Sequence, residues 1–208
     1  MPVDIVRYNG DIESLISMIR EVKLLGFDQL VIVVEHARNI NPLKKKIKEK
    51  ISENLGLSIF FGALRGKETR IDRHIIPVWT PTRRVFESRI AGLILWPEIV
   101  EKRDKLHYRS SGMDEYLSRK AYDNHKVIVG AVHHLLEGDI EKRARIIGRM
   151  MQNAMLANKN GFIYAMASMA NNVYGLIHPR ELRAIANIIG LHPILAKKSI
   201  EWLDWVIE

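Results

Sequence analysis

Short, unbroken apolar runs alternate with longer amphipathic stretches along almost the whole chain. Residues 3–7 (VDIVR), 30–35 (LVIVVE), 58–64 (SIFFGAL), 75–79 (IIPVW), 92–96 (GLILW), 126–132 (KVIVGAV) and 162–167 (FIYAMA) predict strands. Several are continuous Val, Ile and Leu, the pattern of strands buried on both faces of a parallel sheet. Segments 11–25, 41–55, 112–124, 139–159, 179–189 and 193–206 predict helices. Repeated strand-then-helix order defines the α/β class. Seven mainly parallel strands in 208 residues fit a lean or incomplete (β/α) TIM-like barrel better than a doubly wound sheet. No G-x-G-x-x-G follows the first strand, which argues against dinucleotide binding. No internal repeat, low-complexity tract or long linker interrupts the pattern, so a single barrel domain over 1–208 is expected.

The amphipathic segments also distribute charge. In 41–55, Asn41 is a helix cap, Pro42 suits the first helical position and Gly56 marks the end. Leu43, Ile47, Ile51 and Leu55 form its apolar stripe, with lysines on the remainder. In 139–159, Ile140, Ala144, Ile147 and Met151 read as the buried face. At about 100° per residue, Lys142, Arg145 and Arg149 then form a basic ridge pointing into solvent. The final segment, with Leu195, Trp202, Leu203, Trp205 and Val206, is apolar enough to close the barrel.

Composition sharpens the picture. With 32 Lys and Arg against 24 Asp and Glu, the net charge of +8 favours a polyanionic partner. The absence of cysteine excludes disulfides, thiolate zinc sites and a cysteine nucleophile. The opening MPVDIVRYNG lacks a signal pattern, and no apolar run approaches the roughly 18 residues of a membrane helix, so a cytoplasmic protein is expected.

Candidate chemistry in such a barrel belongs at the C-terminal ends of its strands. Glu35 and His36 follow the second strand, and His133 and His134 the sixth. A metal-dependent phosphoesterase using His36 and His133 is the alternative function this allows. No H-x-H, H-x-D or D-x-H spacing occurs, and the first strand ends in Arg7-Tyr8-Asn9, where a polymerase-and-histidinol-phosphatase barrel carries an H-x-H pair. No G-x-S-x-G or P-loop is present, and Ser168 reads as a hydroxyl satisfying loop backbone. The segment 65–91 is the least regular and reads as an extended surface loop. Its cations Arg65, Lys67, Arg70, Arg73, Arg83, Arg84 and Arg89 face only Glu68, Asp72 and Glu87. Guanidinium forks match phosphate geometry, which makes this segment an RNA-binding candidate. Trp79 and Phe61 lie nearby but read as core.

One ordered set of motifs resembles a known family. It comprises Gly112-Met113-Asp114, the strand Val127–Val132, Leu135-Leu136, Arg143-Ala144-Arg145 and Met151-Gln152-Asn153 through Leu156-Ala157. It continues with Ser168-Met169-Ala170, Leu176-Ile177-His178-Pro179-Arg180-Glu181-Leu182 and Ile189-Gly190-Leu191. Upstream, Thr82-Arg83 with Glu87, and Leu25-Gly26-Phe27-Asp28 before a Val/Ile strand, add to it. Order and spacing resemble archaeal ribonuclease P protein component 3, with departures at Met169 for a Gly, Ile177 for an Arg and Gly92 for an Asp.

The resemblance implies a barrel similar to the polymerase-and-histidinol-phosphatase fold without its metal ligands. It implies a subunit that is not catalytic alone and carries no cofactor, supporting a catalytic RNA that needs Mg2+ as it removes the 5′ leader of precursor tRNA. Ribonuclease P RNA and protein component 2, with other subunits, are the implied partners, and no membrane is. The RNA-binding candidates are Arg65, Lys67, Arg70, Arg83, Arg84, Lys142, Arg145, Arg149 and Arg180. A barrel that binds only partner proteins is the remaining alternative.

Overall fold

The computed structural model describes residues 1–51, 55–64, 75–100, 103–105, 107 and 109–207. Seven parallel strands run in sequence order across one sheet: β1 (Val3–Arg7), β2 (Gln29–Val34), β3 (Ser58–Leu64), β4 (Ile75–Trp79), β5 (Gly92–Leu95), β6 (Lys126–Ala131) and β7 (Ile163–Ala167). The helices are α1 (Ile12–Leu24), α2 (Ile40–Lys50), α3 (Arg83–Glu87), α4 (Glu115–Asp123), α5 (His133–Leu136), α6 (Ile140–Asn160), α7 (Pro179–Ile188), α8 (Pro193–Lys198) and α9 (Asp204–Ile207). This is the (β/α) TIM-like barrel expected from the alternation. None of the described helices is long and apolar enough to cross a membrane.

Period-two alternation splits the strands between two cores. Val3, Ile5, Val31, Val33, Ile76, Val78, Leu93, Leu95, Val127, Val129, Ile163 and Ala165 fill the barrel interior. Their neighbours, such as Val6, Ile32, Ile94, Ile128 and Tyr164, face the helices. Because both faces are covered, the strands read as continuous apolar runs.

Among the described residues the barrel closes without an eighth strand. At the top of the seam, the Met169 N–H donates to the Ile5 carbonyl (2.9 Å) and the Arg7 N–H to the Ala170 carbonyl (2.8 Å). At the base, β1 and β7 part, and residues 199–200 occupy the gap. There the Val3 N–H donates to the Ile200 carbonyl (2.8 Å) and the Met166 N–H to the Ser199 carbonyl (2.9 Å). Trp202 and Leu203, each 1% exposed, then enter the interior from below. The predicted helix over 193–206 is therefore two, α8 and α9, because the backbone between them is spent on the seam.

Local chemistry explains most element ends. Asp11, Asp114 and Asp139 cap α1, α4 and α6 with carboxylates that accept from backbone N–H groups. Gly161, left-handed at φ 78°, ends α6. His178 and Glu181 form a reciprocal capping box ahead of Pro179 at the start of α7. Asn41 is not a cap: α2 begins at Ile40, continuing a 3-10 turn over Ala37–Asn39, and ends at Lys50 before Gly56. The region 65–91 is not one extended loop, since β4 and α3 lie within it; residues 65–74 fall outside the described residues.

Two family departures acquire a physical meaning. Met169 is left-handed, φ 52°, a conformation natural to the Gly it replaces, and its buried side chain joins the barrel interior. At Gly92 a Cβ would collide with the Pro77 carbonyl and the Trp79 ring, so a larger residue would displace β4.

Candidate nucleic-acid interface

The long helix α6 corrects the expected basic ridge. Its buried positions are Ile146, Gly148, Arg149, Met150, Asn153, Ala154, Leu156 and Ala157. Ile140 (82% exposed), Ile147, Met151 and Met155 (63%) face outward, so the apolar stripe expected inside is on the surface. Arg149, expected in solvent, is 2% exposed. Its Nε donates to Asp104 Oδ1 (2.7 Å) and its Nη1 to the Glu98 carbonyl (2.8 Å). Asn153 donates to the Ser111 carbonyl (3.1 Å), and Glu98 Oε1 accepts from the Ala131 N–H (3.3 Å). A buried polar layer thus inverts the helix, and Arg149 is withdrawn as an RNA contact. Burial raises the Glu98 carboxyl to about 7. Lys142 and Arg145 stay exposed because the first turns of α6 project past the core, and neither forms an ion pair among the described residues.

The other predicted cations are scattered. Arg65, Lys67 and Arg70 lie outside the described residues. Arg83 pairs with Glu87 (3.0 Å) and lies 5.0 Å over the Tyr116 ring, so much of its charge is answered locally. Arg84, its neighbour, is exposed without an ion pair among the described residues, as is Arg180 in the first turn of α7. Trp79 and Phe61 are core residues at 6% exposure, as expected.

The barrel mouth holds the groups proposed for metal chemistry, and the structure does not gather them. His36 is exposed after β2, and His133 Nε2 sits 3.1 Å from Glu137. Among the described residues no three His, Asp or Glu side chains converge as a metal cluster. His134 lies edge-on to Trp96, with ring centroids 5.5 Å apart, and burial and the neighbouring His133 push it down to about 4. It is therefore neutral near pH 7.

Arg7 was not singled out in the sequence, though the spacing 3, 5, 7 identifies it: Val3 and Ile5 point into the barrel, and Arg7 is the next residue on that face. It is half-buried, stacks 5.4 Å over Trp96, and lines a cavity of about 390 Å³ with Tyr8, Asn9, Glu35, Asn39 and Asn171.

The loop after β7 forms one wall of that mouth. Ser168 is wholly buried. Its Oγ donates to Asp4 Oδ2 (2.5 Å), its N–H donates to Asp4 Oδ1 (2.8 Å), and its Oγ accepts from the Ala170 N–H (3.3 Å). The hydroxyl satisfies loop backbone and ties the seam; no substrate can reach it. Burial pushes the Asp4 carboxyl up to about 6. Ile177 packs against the outer core, where the Arg of the family pattern would bury a charge.

Fold and site together define a TIM-like α/β barrel whose mouth presents cationic and amide groups rather than a gathered catalytic set. No family model matches the chain. By sequence it is a relative of archaeal proteins named ribonuclease P protein component 3. The protein of that name from Methanocaldococcus jannaschii is 27% identical over 217 aligned residues, covering 97% of this chain and 87% of the relative. That from Methanococcus maripaludis strain C5 is 30% identical over 126 residues, covering 61% of this chain. The match spans about half the length, 51%, of the M. maripaludis relatives. By fold the chain is similar to one in a cryo-EM structure of archaeal ribonuclease P with mature tRNA. That similarity has a TM-score of 0.72 at 21% identity and covers 99% of this chain and 89% of the other.

Proposed function

We propose that this chain acts as a single barrel domain and is a protein subunit of a ribonuclease P ribonucleoprotein, supporting the RNA that removes the 5′ leader of precursor tRNA. The observation that carries the reading is the near full-length relationship to the M. jannaschii protein named ribonuclease P protein component 3. The net charge of +8 and the exposed cations Arg84, Lys142, Arg145 and Arg180 support it. Each phosphate they neutralise releases condensed counterions, so binding weakens steeply with salt. In this reading Mg2+ belongs to the RNA, and protein component 2 and precursor tRNA meet the chain within a cytoplasmic particle. Arg65, Lys67 and Arg70 remain RNA-binding candidates by sequence.

Reconstitution tests it. Ribonuclease P RNA and the partner proteins are assembled with and without this chain, and precursor-tRNA cleavage is followed at low magnesium. Cleavage should rise when the chain is added; an unchanged rate refutes the reading. Turnover of phosphoesters by the isolated chain with stoichiometric metal would favour the hydrolase instead.

A further inference from the structure

The mouth cavity is not used by any role assigned so far, yet it has the features of a built site. It lies at the C-terminal ends of parallel strands, where ligands of this architecture bind. Arg7 forms its floor as the inward-facing residue above Ile5, and it makes no ion pair among the described residues. A half-buried guanidinium without a carboxylate is costly unless an anion completes it.

Its orientation is fixed from behind. Trp96, under the guanidinium, is left-handed at φ 36°, although it is not glycine and precedes Pro97. Strain of this kind persists only where the surroundings over-determine it. His134 braces the Trp96 edge, and its buried Nε2 has no hydrogen-bond partner among the described residues.

The walls supply the remaining chemistry. Asn39 and Asn171 bring side-chain amides, and the Asn9 amide is anchored on the Asn171 carbonyl (3.2 Å). Glu35, exposed, also lines the cavity. It would repel an isolated anion but can accept from a sugar hydroxyl. Three residues beyond Asn171, in the same loop, Tyr174 is 97% exposed and held on a 3-10 turn capped by Asn172 (3.0 Å). A free tyrosine face in the loop that carries a wall residue of an anion site suits one unstacked base attached to its phosphate.

We propose that the barrel mouth binds one nucleotide of single-stranded RNA, with its phosphate on Arg7, its 2′-hydroxyl on Glu35 and its base stacked on Tyr174. The choice of RNA as occupant rests on the ribonucleoprotein reading; the pocket geometry does not.

The test uses the full chain and a 5′-fluorescein-labelled uridine decamer, titrated by fluorescence anisotropy over a range of salt. Tyr174→Ala should weaken binding about 5- to 150-fold, the worth of one base–aromatic stack. Arg7→Gln should weaken it about tenfold and reduce the log–log salt slope by about one. The deoxyuridine decamer should bind more weakly than RNA, and Glu35→Ala should narrow that difference. Circular dichroism and a melting curve confirm that Arg7→Gln is folded, and Tyr174→Ala provides an arm that touches no packing. Wild-type affinity in both variants overturns the site. Uridine monophosphate or inorganic phosphate binding as tightly as the decamer overturns the strand and assigns a small phosphorylated ligand. Mouth-dependent binding in a chain that fails to raise precursor-tRNA cleavage keeps the site and removes the subunit reading. Cleavage support with mouth-independent binding does the reverse.

Discussion

The two ends of the barrel are finished by opposite chemistry. The base is sealed with hydrocarbon: Trp202 and Leu203 enter the interior below Val3 and Ile163. Toward the top the chemistry is polar: Glu98, Arg149, Asp104 and Asn153 bond to one another and to loop carbonyls beside α6, and Arg7 lies over Trp96 in the mouth. An apolar plug contributes stability that is indifferent to pH and to ligands. A polar lid is stable only when every charge is answered, and whatever it leaves unanswered is available for binding. Stability should therefore reside at the base, and recognition with pH sensitivity at the top.

The largest expected effect is at the base. Trp202→Ala should lose about 3–5 kcal/mol in urea unfolding, a large-to-small change at a closed interior site. Any fraction that stays folded should bind the RNA decamer with wild-type affinity. Loss of binding with unchanged stability would invert the comparison.

At the top, Arg149→Met strips the cation from Asp104 and from the Glu98 carbonyl. It should cost about 1.5–3 kcal/mol, less than the plug, since charge-assisted hydrogen bonds of a buried guanidinium are lost while the Asp104 carboxylate regains water. A neutral result would mean that the polar layer is not a unit.

A pH series separates the ends further. Glu98 ionises near pH 7 in the folded chain against an ordinary 4.5, and Asp4 near 6 against 3.8. The unfolded chain therefore loses these protons first. Stability should be highest below about pH 4 to 4.5 as far as these groups are concerned. It should fall as pH rises to 6 and 7, by about 3 kcal/mol per group. Glu98→Gln should remove the component centred nearer pH 7, while Trp202→Ala leaves the profile's shape unchanged. Melting temperatures at pH 5 and pH 8 check both.

Smaller effects sharpen the picture. Ser168→Ala leaves the Asp4 carboxyl without its hydroxyl donor and should cost about 1–2 kcal/mol by urea unfolding. Tyr174→Ala should change stability by less than about 0.5 kcal/mol, its ring being in solvent.

The strands were legible in the sequence to within a residue or two, because burial on both faces writes a continuous apolar run. The phase of α6 was not. Its periodicity is real, but polarity there does not mean exposure: Arg149 and Asn153 are buried against partners contributed by residues 98, 104 and 111, distant in sequence. For the same reason Ile140, Ile147 and Met151 read as core and lie outside. The break between α8 and α9 was hidden because helical pattern does not reveal that backbone groups at 199 and 200 serve another element. Of the candidate site, Arg84, Lys142, Arg145 and Arg180 proved accessible; Arg7 was overlooked because a single cation ending a strand gives no local signal.

The seam also bears on how the chain is made. The N–H of Val3 finds its acceptor at Ile200, so a residue made early in this barrel waits for one made far downstream. Until residues 199–203 emerge, the base of the seam between β1 and β7 stays unpaired and the hydrophobic bore stays open from below. Closure should therefore be a late event of high contact order. Stalled or truncated chains lacking this short stretch should be held by chaperones rather than released as shorter barrels.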